Sequence, residues 1–147
     1  MTNQRHNQTI LVADDEPEIV DLVRLLLEWE GYTVAQASNG EEAVAQAQAI
    51  APDLILLDVR MPKMDGLEVL ERLQSDPALA GIPVVMLSVV TAYPQVQTAL
   101  ERGAVAYLPK PFELREMARL VVSVLSEDAV GRKEIYQQAL RRLETEQ

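Results

Sequence analysis

The 147-residue sequence has no cysteine, a single histidine and a shortage of positive charge, and each shortage closes off a class of chemistry. Without cysteine there is no disulfide framework, no thiolate metal site and no cysteine nucleophile. With His6 alone, a multi-histidine zinc site is excluded too. That histidine lies in a polar leader, where a solvated side chain is the expected reading. Lys and Arg number 13 against 23 Asp and Glu, a formal charge of -10. So acidic a body repels phosphate backbones, and direct nucleic acid binding by this chain is not expected. Long apolar runs are also missing. The longest, residues 82–90, is too short to span a bilayer, so no membrane partner is expected. Residues 1–8 have no apolar core of the signal-peptide kind and read as a flexible leader, which points to the cytoplasm.

What is present suits one globular domain with a short remainder: 48% of residues are apolar and 24% charged. The apolar pattern alternates in kind along the chain. Thr9 to Ala13 is a β-prone run that ends abruptly in acids. A helix then opens at Pro17, which a first turn tolerates, with Ile19, Val20, Val23, Leu26 and Leu27 at helical spacing. Gly31 stops it, and Tyr32 to Ala35 reads as a second strand. Ser38 and Glu41 have capping-box spacing ahead of an alanine-rich helix that runs to about Ile50. Asp53 to Leu57 is continuously apolar after its first residue, as in a strand buried on both faces. The alternation repeats with a helix over Gly66 to Leu73, a strand over Ile82 to Leu87, and a helix over Thr91 to Arg102 that holds Pro94 in its first turn. Gly103 is the next stop, before a strand over Val105 to Leu108 and a helix from Phe112 to about Ser126. Five strand-then-helix units imply a doubly wound α/β domain, with a parallel sheet and helices on both faces.

In such sheets ligands sit beyond the carboxyl ends of the strands, so the residues that follow each strand carry the functional signal. Asp14, Asp15 and Glu16 follow the first strand, Asp58 the third, Ser88 the fourth and Lys110 the fifth. Carboxylates gathered on one rim repel one another unless a cation sits among them, and all-oxygen ligands suit Mg²⁺. Each residue also has an ordinary reading. Asp14 and Asp15 could cap the following helix, Asp58 a turn, Ser88 could be a loop hydroxyl and Lys110 a solvated lysine. Their joint arrival at one sheet edge favours the functional reading.

Together with the segments Leu56-Leu57-Asp58-Val59-Arg60-Met61-Pro62 through Gly66 and Gly103-Ala104 through Tyr107-Leu108-Pro109-Lys110-Pro111-Phe112, this pattern resembles the receiver domain of two-component response regulators. The resemblance covers about residues 9–126, and the spacing of Asp15, Asp58, Ser88 and Lys110 is that of the family. It implies a (βα)5 flavodoxin-like three-layer sandwich with strand order 2-1-3-4-5. It also implies a phosphorelay role: Asp58 takes a phosphoryl group from a sensor histidine kinase or phosphotransfer protein and, after a change of shape, controls an output domain or effector. On the same resemblance Asp15, Asp58 and the backbone carbonyl of Arg60 are direct Mg²⁺ ligands, Asp14 acts through a metal-bound water, and Lys110 pairs with a phosphoryl oxygen. Ser88 and Tyr107 are the switch pair, and Lys110–Pro111 is the expected cis bond. The chain is then no enzyme beyond its own phosphorylation and dephosphorylation. Phosphatases of the haloacid dehalogenase type share an Asp nucleophile, Mg²⁺, a hydroxyl and a lysine, but they place nucleophile and acid two residues apart after the first strand. A pseudo-receiver that only binds a protein would not need the full acid set.

Three departures from the family pattern stand out. Val89 adds bulk beside the route to Asp58. Val90 is apolar where many relatives carry a polar group that influences hydrolysis. Val105-Ala106 replaces an acidic pair used in one family dimer, which leaves open how a second copy of the chain would pair. Trp29 at the end of the first helix, and Met61 and Met64 around Pro62, are read as packing. Residues 127–147 lie outside the resemblance. Ile135, Tyr136, Ala139, Leu140 and Leu143 form a helical stripe, and Gly131 is a candidate break before it. An added helix on the receiver, a dimer helix and a linker are all open roles for this tail.

Overall fold

The computed structural model describes residues 7–89 and 92–146. Five short strands, β1 (Thr9–Ala13), β2 (Thr33–Ala37), β3 (Leu54–Asp58), β4 (Val84–Ser88) and β5 (Ala106–Pro109), pair in parallel in the order β2-β1-β3-β4-β5. The helices between and after them are α1 (Pro17–Trp29), α2 (Gly40–Ile50), α3 (Gly66–Ser75), α4 (Tyr93–Glu101) and α5 (Leu114–Ser126). A sixth, α6 (Ala129–Glu146), packs against α4 and β5. This is the doubly wound (βα)5 sheet with an extra C-terminal helix.

Every residue of β3 and β4 is buried, so the two central strands carry apolar side chains on both faces. Their register decides where the site lies. Ala13 pairs with Leu57, Asp58 with Leu87, and Ser88 with Pro109. The residue ending or following each strand therefore reaches one rim. Backbone bonds continue past the strands, from Val59 N–H to Leu87 O and from Lys110 N–H to Ser88 O at 2.7 Å, and these hold the loops in line.

Several boundaries differ from the sequence reading. β2, β3, β4 and β5 each start one or two residues late and end one or two residues late, so Asp58 and Ser88 are the last strand residues rather than the first loop residues. The capping box expected at Ser38 and Glu41 sits one residue on. Asn39 is the N-cap and accepts from Glu42 N–H, while the Glu42 carboxylate reaches back to the Ser38 amide and hydroxyl. Gly131 is not a break. The chain turns at Glu127 and Asp128, and Asp128 caps α6 by accepting from Gly131 N–H. The packing role read for Trp29 also fails, because the side chain is 62% exposed. Helix α1 spends its inward face on Val20, Val23 and Leu27, and Trp29 falls on the opposite face with Leu22 and Leu25. Met61 and Met64 are buried as expected. His6, Val90 and the expected helix start at Thr91 lie outside the described residues.

Gly66 places the loop after β3. A Cβ there would fall against the Asp58 carbonyl oxygen and within 2.9 Å of Val59 Cα, and Gly66 N–H is tied to Val59 O at 2.8 Å. Backbone on both sides leaves nothing soft to move. Gly66→Ala is expected to cost about 2–3 kcal/mol, the range of core overpacking. Gly81→Ala, where a Cβ meets nothing within 4 Å, serves as the control. Denaturant midpoints for both variants check this, and equal midpoints contradict it.

Candidate functional site

At the carboxyl rim Asp14, Glu16 and Asp58 bring carboxylate oxygens within 4.8 Å of one another. Asp14 follows β1 and is buried. Its Oδ1 accepts from Glu16 N–H at 2.9 Å, which closes the turn that swings Glu16 over the site before Pro17 starts α1. Asp58 is 7% exposed, and its Oδ1 accepts from Arg60 N–H at 3.2 Å. Lys110 reaches in from the end of β5. Its Nζ lies 2.7 Å from Asp14 Oδ2, 2.8 Å from Glu16 Oε1 and 3.2 Å from Asp58 Oδ2. The Lys110–Pro111 peptide bond is cis, as the resemblance implied.

One ammonium against three carboxylates leaves excess negative charge in a half-dry place. Burial first, and the charge of Asp14 second, push Asp58 up to about 7, against the pull of Lys110 and the Arg60 amide. Burial works to lower the Lys110 ammonium, but contacts with Asp14 and Glu16, and the charge of Asp14 and Asp58, outweigh it and raise its pKa. Asp14 Oδ2 is buried, and among the described residues it accepts no well-aligned hydrogen bond. Among the described residues, the Lys110 ammonium is the one cation beside it. A second cation with a taste for oxygen fits this donor set, and among common ions Mg²⁺ fits best.

A cleft of about 280 Å³ opens beside these groups, lined by Asp15, Glu16, Asp58, Val59, Arg60, Ser88, Val89, Ala92 and Lys110. Asp15 is exposed on its wall, and Val89 is 41% exposed at its mouth. Ser88 is buried on the same rim, but its Oγ donates to its neighbour's carbonyl, Val89 O, at 2.8 Å. Tyr107 lies within β5, buried, and its hydroxyl donates to Glu146 Oε1 of α6. Burial, then that bond, raise the pKa of the phenol. The structure thus gathers Asp14, Asp58 and Lys110 into direct contact, with Asp15, Ser88 and Arg60 around them. Sequence reasoning counted Glu16 among the rim acids without a role. Its contact with Lys110 depends on the path of the β1–α1 turn.

The family model for the response regulator receiver domain matches residues 10–122. The chain is 45% identical over 119 residues to the DNA-binding dual master transcriptional regulator RpaA of Synechocystis sp., an alignment covering 79% of this chain and 48% of that protein. It is 41% identical over 125 residues to the alkaline phosphatase synthesis transcriptional regulatory protein PhoP of Bacillus subtilis, covering 85% and 51%. The chain therefore spans about half the length of these relatives. Among solved structures, a putative response regulator from Chloroflexus aurantiacus superposes with a TM-score of 0.78 at 32% identity, covering 83% of this chain and all of that one. With the sheet order, the acidic rim and the central lysine already in place, these likenesses show that the chain belongs to the response regulator receiver domain family.

Proposed function

We propose that Asp58 is the phosphoacceptor of a two-component phosphorelay, charged by a phosphohistidine on a sensor histidine kinase or phosphotransfer protein. The observation that carries this is the position of Asp58, buried at the end of a central strand, with its Oδ2 3.2 Å from an ammonium and its pKa raised by burial and Asp14. Only one Asp58 oxygen is engaged by Lys110, and the cleft opens beside it. In the reaction an Asp58 oxygen attacks phosphorus, the P–N bond breaks, and its electron pair returns to the imidazole nitrogen, which takes a proton from solvent. Lys110 stays protonated and offsets charge on a phosphoryl oxygen. Asp15, Asp58 and the Arg60 carbonyl are the proposed direct holders of Mg²⁺, with Asp14 acting through a bound water. The ion, when bound, screens the repulsion between an anionic nucleophile and an anionic phosphoryl group.

Ser88 and Tyr107 are the proposed switch pair. A phosphoryl oxygen on Asp58 gives the Ser88 hydroxyl a stronger acceptor than Val89 O, and the turn of that side chain frees space toward Tyr107. We take residues 9–126 as the receiver unit and 127–147 as its C-terminal attachment, with residues 1–8 as a leader. RpaA and PhoP are named as transcriptional regulators, and the counterpart here is an output domain or effector, with a second copy of the chain as a further candidate partner. Among the described residues no helix is long and apolar enough to cross a membrane.

Intact mass after incubation with a small phosphodonor and Mg²⁺ tests the reading: a single adduct of about 80 Da, one added phosphoryl group, is expected. No adduct with either a small donor or a histidine kinase domain overturns it. Val89→Ala is expected to speed uptake from the small donor several-fold, because the valine narrows the approach to Asp58 and small misplacements of reacting groups are costly. Unchanged uptake rates would mean that access is not limiting.

A further inference from the structure

The helix α6 covers Tyr107, one member of the proposed switch pair. The Tyr107 hydroxyl donates to Glu146 in the last turn of α6 at 2.5 Å, a short bond to a charged acceptor. One turn earlier, Arg142 Nε pairs with the other Glu146 oxygen at 3.0 Å, and its guanidinium lies 5.6 Å from the Tyr107 ring centroid. Arg142 also reaches Glu116 on α5 at 3.5 Å. Beneath these polar contacts Leu143 is 1% exposed, so the helix is seated by an apolar anchor rather than resting on the surface. Tyr93, in the first turn of α4, packs edge-on to Tyr107 with centroids 5.6 Å apart.

The other end of this chain of contacts is the phosphorylation site. Ser88 Oγ and Ala92 N–H both bond to Val89 O. If Ser88 leaves that carbonyl for a phosphoryl oxygen, Val89 O keeps the Ala92 N–H alone. Tyr93 stands one residue beyond Ala92, against Tyr107 and near the carboxylate of Glu146, whose charge also raises the Tyr93 phenol after burial does. Tyr93 and Tyr107 thus lie together on the path from Ser88, with Glu146 of α6 beside both.

We propose that α6 is a latch on the switch. Docked through Glu146, Arg142 and Leu143, it holds Tyr107 in place and opposes occupation of the Asp58 site; occupation in turn undocks α6 and uncovers the α4–β5 face. This rests on the reading of Asp58 given above. Linkage makes the effect reciprocal: the factor by which undocking tightens phosphoryl-analogue binding is the factor by which the analogue weakens docking.

The test uses the full chain with beryllofluoride and Mg²⁺ as the phosphoryl analogue, and reads amide hydrogen exchange together with analogue affinity. Saturation of the parent is expected to speed exchange within α6 about tenfold while β3 amides hold steady, a coupling of ordinary allosteric size. Leu143→Asp is expected to exchange fast in α6 without the analogue and to bind it about tenfold more tightly. Glu146→Ala, which leaves the apolar anchor intact and keeps the test open should the first variant misfold, is expected to lie between. Val130→Asp, on the exposed side of α6 at 74% exposure, should behave as the parent. Equal α6 protection in free and saturated protein, or equal affinity in parent and Glu146→Ala, overturns the latch. If the analogue binds and α6 stays protected, the latch alone fails. If the analogue binds neither parent nor variants, the reading of Asp58 fails and the latch with it.

Discussion

Asp58→Asn is expected to abolish phosphoryl incorporation and, in the absence of divalent ions, to make the protein more stable than the parent at about pH 8. The two effects have one cause. Burial and the neighbouring Asp14 raise Asp58 from 3.8 to about 7, so an ionised Asp58 is held where the folded protein tolerates it poorly. A carboxyl whose folded pKa is raised favours folding only while protonated. Its contribution is full below the unfolded value of 3.8 and is lost as the pH rises through about 7. At about pH 8 the parent has lost it, whereas asparagine has no proton to lose. Asparagine can still accept from the Arg60 amide, but it removes the nucleophilic charge and the repulsion toward Asp14. A rise from 3.8 to about 7 is worth at most about 4 kcal/mol, which bounds the gain. The advantage should shrink as the pH falls toward about 5, where Asp58 in the parent takes up its proton. Urea unfolding in a chelating buffer at both pH values measures this. A variant no more stable than the parent at the higher pH contradicts the electrostatic account, and retained phosphoryl incorporation contradicts the assignment itself.

Much of this site was legible in the chain because the fold turns sequence position into spatial position along the strands. Once β1, β3, β4 and β5 are recognised as parallel neighbours, the residues at their carboxyl ends must share a rim, and Asp14, Asp58, Ser88 and Lys110 do. The strands shifted by a residue or two without harm, since a strand end and the first loop residue point at the same edge. What could not be read was anything set by a turn or by a long-range contact. Glu16 joins the cluster because Asp14 Oδ1 takes its amide and bends the chain, a local geometry that three consecutive acids do not reveal. The apolar character of Trp29 suggested packing, yet α1 has apolar residues on two faces and the sheet covers only one. The stripe on α6 was visible as amphipathic spacing, but nothing in a pattern of period 3.6 names Tyr107 as the residue its last turn will hold, 39 positions earlier.

Lys110→Met is expected to destabilise the metal-free protein, and the damage should be repaired by Mg²⁺. The lysine side chain is 8% exposed and lies within 3.2 Å of three carboxylates, so its loss leaves buried Asp14 with no cation beside it among the described residues. Breaking a buried pair by removing one partner costs about 3–5 kcal/mol when the remaining charge stays ionised. Asp58 limits that cost, because with the ammonium gone its carboxyl is raised further and can bind a proton near neutral pH. The expected loss is therefore about 2–3 kcal/mol at about pH 7.5, falling as the pH drops and Asp58 takes up its proton. The raised pKa of Lys110 gives the complementary sign: its contribution is full below the ordinary 10.5 and is lost only as the pH rises past its folded value, so it is present throughout the neutral range. Mg²⁺ binds the folded acid cluster and not the unfolded chain, and with no ammonium to compete it should stabilise Lys110→Met more than the parent. Thermal melts of parent and variant across a Mg²⁺ titration separate the contributions. A variant that melts with the parent in chelator would mean that Lys110 balances no net charge in the folded protein. A variant that Mg²⁺ stabilises no more than the parent would mean that lysine and metal do not share the same carboxylates.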